Sequence, residues 1–138
     1  MTGFNTWYMM RIENSFNEKI ANMYKYVNKR VVANVSATMY YPVSAQCDKD
    51  PLITACMYKI NPKKASSHKW IAMSRNLLKR WNGKFSYGDR VKITGCGKKD
   101  GIYTVADTMN KRFVNKIDFL ETAGTHFYKF DNVTIEKV

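Results

Sequence analysis

A chain of 138 residues, 45% hydrophobic and 25% charged, has the composition of one globular domain plus an appendage, which argues against wholesale disorder. Its net charge of +12 makes a polyanion (nucleic acid, an anionic membrane or an acidic wall polymer) an attractive partner on charge alone. The odd count of three cysteines, Cys47, Cys56 and Cys96, argues against a disulfide-framed secreted scaffold.

Residues 4–28 carry Tyr8, Ile12, Phe16, Ile20, Met23 and Val27 at three- and four-residue spacing, with Glu13, Asn14, Asn17, Glu18 and Lys25 off that face. This is the pattern of an amphipathic helix. Its apolar stripe needs a partner, and two readings stand: packing on the domain that follows, or docking to a second copy or a larger assembly. Arg11, Glu13, Glu18 and Lys19 break the apolar run early, so neither a signal peptide nor a membrane-spanning helix is expected. The expected route is cytoplasmic synthesis, followed by incorporation into a larger particle or release to act elsewhere.

At Val31 the texture changes. Residues 31–41 alternate and are β-branched or aromatic, which predicts a strand ended by Pro42. Residues 42–68 hold all three prolines and read mostly as loop, with a short strand near Leu52 to Ala55. Trp70–Met73 predicts a buried strand. Ser74 stands at the N-cap position of a short helix over 75–81, which Asn82-Gly83 would stop. Residues 90–94 and 102–106 predict a hairpin turning at Asp100-Gly101. Residues 115–120 predict a further strand, residues 124–130 one or two helical turns, and residues 132–138 a closing strand. A helical arm over 1–30, followed by five or six short strands with two small inserted helices over 31–138, suggests a small closed barrel, since closure removes exposed edges.

Few polar groups stand where chemistry would need them. The basic residues fall in scattered pairs such as Lys63–Lys64, Lys79–Arg80 and Lys111–Arg112, without a basic tail or a nucleic-acid motif, so a solvated basic surface is the simpler reading and nucleic acid is not the expected partner. No close Cys or His pair has ligand spacing, so neither a metal centre nor a cofactor is expected. Cys47 and Cys56 would pair across a loop only in an oxidising compartment. His68 and His126 have no evident acid partner or nucleophile. Of eleven acidic residues, Asp107 and Asp118 stand apart, because each sits at the end of or within an apolar strand, where an acid costs free energy unless something needs it. Brought to one barrel face, their like charges and partial burial would raise the pKa of one of them and make it a general acid. The competing reading is that each satisfies backbone N–H groups in a tight barrel. Thr54, Thr108 and Tyr40 are candidates for sugar hydroxyls, and Trp70 and Trp81 for ring stacking or rim packing.

The run Gly101-Ile102-Tyr103-Thr104-Val105-Ala106-Asp107-Thr108, followed by Asn115-Lys116-Ile117-Asp118-Phe119-Leu120, resembles the signature of the three-aspartate (3D) domain. Ser36–Tyr40, Thr54-Ala55, Trp70–Met73 and Tyr87-Gly88-Asp89-Arg90-Val91 resemble further parts of that family in order, over about residues 31–138. The resemblance implies a six-stranded double-psi β-barrel, akin to rare lipoprotein A-like proteins and to the barrel of membrane-bound lytic transglycosylase A. It implies peptidoglycan as substrate, Asp118 as acid/base and Asp107 as its support, with Thr54, Thr108, Tyr40 and Asn115 at the glycan. Three positions depart from the family: Ser74 replaces its first Asp, Met109 the Gly after Asp-Thr, and Met57 the Gly of its Thr-Ala segment. Either methionine would narrow a sugar channel if it pointed inward. Two functions are therefore carried forward. One is a phage-encoded lytic transglycosylase; the other is a non-enzymatic virion or adaptor protein built on a degenerate barrel with residues 4–28 as its anchor.

Overall fold

A computed structural model describes residues 13–23, 30–47 and 50–138. The chain divides into two compact units, Met1–Arg30 and Val31–Val138. In the first, residues 13–23 are α-helical, with Phe16, Ile20 and Met23 on one face by their spacing. The rest of the helix expected over 4–28 lies outside the described residues.

The second unit is mainly β. Strands β1 (Val32–Tyr40), β2 (Trp70–Met73), β3 (Arg90–Thr94), β4 (Gly101–Thr108), β5 (Lys116–Leu120) and β6 (Phe130–Lys137) close into a barrel in the order β1-β5-β2-β4-β3-β6. Two pairings are parallel, β1 with β5 and β2 with β4; the others are antiparallel. Closure gives every strand two neighbours, so no row of backbone N–H and C=O groups is left open.

Alternation along the strands sends successive side chains to opposite faces. One set, including Val35, Ala37, Ile71, Met73, Val91, Ile93, Val105, Ile117, Phe119, Val133 and Ile135, forms the main core. The neighbouring residues Tyr40, Ala72 and Leu120 belong to a second cluster with Ile60, Ala65 and Met109. That cluster lies on the opposite face of β1, β5 and β2, beneath the long connection between β1 and β2. This connection is mostly loop as expected, with short 3-10 helices at Ser44–Gln46 and Pro62–His68. The strand expected near Leu52 is a single bridge, Ile53 to Lys59.

The connection is fastened at the end of β5. Ser66 Oγ donates to Glu121 Oε2 at 2.7 Å, and the Thr122 amide donates to Ser66 Oγ at 2.7 Å. Glu121 also accepts from Tyr128 OH at 2.6 Å and pairs with Lys99 at 2.8 Å. Burial alone would raise the Glu121 pKa, but hydrogen bonds from Lys99, Tyr128 and Ser66 outweigh it and hold the carboxyl below its ordinary value.

Two inserted helices expected from the sequence take other forms. Residues 75–81 make two three-residue 3-10 turns, Arg75–Leu77 and Lys79–Trp81, separated by extended Leu78. Seven residues are too few to nucleate an α-helix unaided, and the backbone is claimed elsewhere: Lys79 N donates to Phe85 O at 2.8 Å and Phe85 N to Leu77 O at 2.9 Å. Ser74 is not a side-chain N-cap. Its hydroxyl instead donates to Asn76 Oδ1 at 2.8 Å and accepts from the Lys116 amide at 3.0 Å. Residues 124–129 are not helical, and Phe130 already belongs to β6. Gly124 turns the chain at φ +98, a left-handed value that stops helical propagation.

The left-handed residue that ends the second 3-10 turn is Asn82, at φ 69. Gly83 serves a different need: a Cβ there would lie 2.1 Å from the Leu77 carbonyl carbon and 2.5 Å from Leu78 N. Backbone cannot yield as a flexible side chain does. Gly83→Ala is therefore expected to destabilise the barrel by about 1–3 kcal/mol. Gly97→Ala, where a Cβ meets nothing within 4 Å but φ is +57, should cost about 1 kcal/mol. Thermal unfolding of both variants checks the order; equal midpoints would contradict it.

Candidate functional site

Asp107 and Asp118 come together through backbone pairing. Ala72 of β2 pairs with Asp118 of β5 on one side and with Asp107 of β4 on the other. Thr38 of β1 pairs with Asp118 from beyond. The result is a rung across four strands, Thr38–Asp118–Ala72–Asp107, on the face of the second cluster. Two strand spacings put the aspartate Cα atoms about 10 Å apart.

The register on the β4 side depends on an irregularity. Ile71 pairs with Val105, but Ala72 pairs with Asp107, so Ala106 is an extra residue on β4. Without that bulge Ala72 would face Ala106, and Asp107 would fall to the other side of the sheet. The Ala106 carbonyl accepts from the Cys56 amide at 3.3 Å, which ties the bulge to the β1–β2 connection.

Both aspartates line one groove of about 500 Å³. Its floor includes Ala72 and Met109; its walls include Tyr40, Tyr87, Thr108 and Phe113, with Arg75, Arg80, Trp81 and Arg112 also lining it. Ala72 matters here because of its size. A methyl group between the two carboxyl-bearing positions leaves room above it.

The two carboxyl groups are held differently. Asp107 Oδ1 accepts from the amides of Ala55 and Thr108, both at 2.9 Å, and Oδ2 accepts from Tyr40 OH at 3.2 Å. Burial first, and the Asp107 charge next, push the Tyr40 phenol far above its ordinary value, so it stays protonated and can only donate to that carboxylate. Asp118 is half-buried and accepts from Thr38 Oγ1. Burial is the main cause that raises its pKa; the Thr38 hydrogen bond and the charge of Lys116 oppose this, and Asp107 adds the smallest contribution. Like-charge proximity, expected from the sequence alongside burial, is thus minor beside desolvation. The arrangement offers a carboxyl disposed to hold a proton beside one fixed as an acceptor. That division suits proton donation to a bound oxygen.

The remaining sequence candidates divide. Tyr40 and Thr108 line the groove, Thr108 sharing a hydroxyl–hydroxyl bond with Tyr87. Thr54 is buried, its hydroxyl accepting from the Tyr58 amide at 3.1 Å, and it is absent from the groove lining. Asn115 takes a left-handed φ of 51 and exchanges hydrogen bonds with Asn76 at 2.6 and 3.0 Å; it braces the entry to β5 from outside the groove. Trp70 stacks on His68 at 4.1 Å between centroids and does not line the groove, whereas Trp81 does. Met57 is 75% exposed and away from the lining, while Met109 is buried in the floor. Neither methionine closes the groove. Among the described residues the three cysteines form no disulfide, and Cys47 lines the groove. Sequence reasoning missed Arg75, Arg80 and Arg112, because scattered basic residues carry no signal until the fold gathers them.

Comparison with models of known protein families finds no match to this chain, and comparison with curated proteins finds none either. Among the described residues, no helix is long and apolar enough to cross a membrane.

The electrostatics of Asp118 give a stability prediction. Its folded-state pKa is raised above the ordinary 3.8, so the folded state holds its proton more tightly than the unfolded state. The contribution to stability is full below the unfolded value and is lost as pH rises through the raised folded value. Asp118→Asn should therefore raise the unfolding midpoint at pH 7, and the gain should shrink as pH falls towards the ordinary carboxylate range. A midpoint difference that is flat with pH, or that grows in acid, would contradict this.

Proposed function

We propose that the unit Val31–Val138 is a double-psi β-barrel of the three-aspartate type whose groove cleaves peptidoglycan glycan strands by lytic transglycosylation. The observation that carries this reading is the rung Asp118–Ala72–Asp107 in an open groove, with Asp118 kept inclined to hold a proton. The two parallel pairings, β1 with β5 and β2 with β4, are consistent with that barrel type. The sequence resemblance over Asp107-Thr108 and Asn115–Leu120 supplies the substrate class.

In the proposed reaction, a strand lies in the groove with a glycosidic oxygen at Asp118. The Asp118 carboxyl gives its proton to that oxygen as the bond to the sugar's C1 breaks. The same sugar's C6 hydroxyl attacks C1 and forms the 1,6-anhydro ring, and its proton returns to the Asp118 carboxylate. Asp118 ends as it began, and no water is consumed. Asp107, with Tyr40 and the Ala55 and Thr108 amides on it, keeps a fixed negative charge near the positive charge that develops on the sugar ring.

The proposal extends to a phage-borne protein attached to a virion or partner chain through residues 4–28. The helix at 13–23, with Phe16, Ile20 and Met23 on one face, would supply part of the docking element.

A second reading is a barrel that grips glycan without cutting it. One observation favours it: Ser74, standing where the family carries an acid, is fully buried and occupied with Asn76 and the Lys116 amide, so it offers nothing to substrate.

Digestion of purified sacculi separates the two. Wild-type protein is expected to release 1,6-anhydro-muropeptides. Asp118→Asn should lower that rate by at least ~100-fold, the range for loss of a general acid, while leaving binding to sacculi in place. An inactive wild type that still binds would establish the gripping role. Full activity in Asp118→Asn would refute the mechanism.

A further inference from the structure

The groove holds cationic groups that the proposed chemistry does not use. Arg75 and Arg80 stand in the two 3-10 turns that follow β2, three and eight positions after Ala72. Both guanidinium groups lie against the same ring: their central carbons are 5.0 and 5.1 Å from the Trp81 centroid. All three residues line the groove that contains Asp107 and Asp118. Among the described residues neither arginine is ion-paired with a carboxylate. Arg75 Nε is buried without a hydrogen-bond partner.

Each of these facts asks for a ligand. A buried guanidinium N–H left bare costs free energy unless something accepts from it. Two guanidinium groups against one indole ring concentrate positive charge at that place, which favours an anion beside it. The planar fork of arginine matches the paired oxygens of a carboxylate. The indole ring under them fixes their position through cation–π contact.

We infer that Arg75, Arg80 and Trp81 form an acidic-sugar subsite: the indole of Trp81 holds the two guanidinium groups in place, and these take a carboxylate attached to the sugar. This rests on the glycan reading above and deepens it. The groove selects a glycan bearing carboxylates over a neutral one of the same length. The carboxylate has two sources in a wall glycan, the lactyl ether of a muramoyl residue or the peptide joined to it, and the chemistry at the arginines is the same.

The test uses the full chain carrying Asp118→Asn, so that ligand is not turned over, and calorimetric titration. Three tetrasaccharides serve as probes: chitotetraose, a muramic-acid tetrasaccharide with free lactyl carboxylates, and the same sugar with peptides amide-linked there. At least one acidic probe should bind about tenfold tighter than chitotetraose, as charge-assisted hydrogen bonds allow, and the preference should weaken with salt. Preference for the free lactyl form assigns that carboxylate; preference for the peptide form assigns the peptide's. Adding Arg75→Gln and Arg80→Gln should erase the preference, lowering affinity for the acidic probes by far more than for chitotetraose. Arg80→Gln alone, at an exposed position, gives a partial loss that misfolding does not explain.

Equal affinity for neutral and acidic probes overturns the inference, as does a preference that survives in the double-arginine variant. Tighter binding of a glycerol-phosphate oligomer than of either acidic sugar also overturns it. If wild-type protein leaves sacculi uncut but the acid preference holds, the cleavage mechanism fails and the subsite stands. Absence of binding to all three sugars overturns both.

Discussion

The bulge opposite Ala72 is the constraint on which the site depends. Because Ala106 is an extra residue on β4, Asp107 rather than Ala106 sits beside Ala72. The side-chain period of a strand is two, so a slip of one would turn Asp107 to the other face. The barrel fixes the other half of the rung without irregularity, since β1, β5 and β2 pair in continuous register through Thr38, Asp118 and Ala72. The main core sits behind this rung and the β1–β2 connection covers part of its front. The geometry is therefore set by backbone pairing and only refined by side-chain contacts.

Burial decides the division of labour between the two acids. Their charges act on each other weakly at two strand spacings, and desolvation by the surrounding chain is the larger effect on Asp118. Hydrogen bonding separates them further. Asp107 receives two amides and a phenol, and Asp118 a single threonine hydroxyl. Two like residues thus acquire unlike behaviour from donors supplied by Tyr40, Ala55, Thr108 and Thr38. A similar economy holds at Glu121, where burial is overcome by three donors and the group becomes a fastening for the β1–β2 connection.

Much of this was legible in the residues. Alternation and β-branching located every strand to within about two residues, and the misfit of an acid in an apolar strand singled out Asp107 and Asp118. The bulge was not legible, because Val105-Ala106-Asp107 reads as an unbroken strand and its extra residue appears only against β2. The helix expected over 75–81 had good local signals, yet pairing of Leu77 and Lys79 with Phe85 claimed its backbone. Thr54 and Asn115 were right in type for sugar contacts but are committed to Tyr58 and Asn76. The arginines and Trp81 became a group only through the two tight turns after β2. Local periodicity reports which face a side chain takes; it is silent on which loops meet above that face.

The Ala55 and Thr108 amides end on the same oxygen of Asp107, so one atom joins the β1–β2 connection to the end of β4. That residue is architecture first and chemistry second, whereas Asp118 could be exchanged without loosening any such joint. If the groove cuts glycan as proposed, a lineage released from that demand would lose position 118 early and keep position 107. A descendant that kept only Asp107 would still look like a complete barrel, and its silence as an enzyme would be written in one residue.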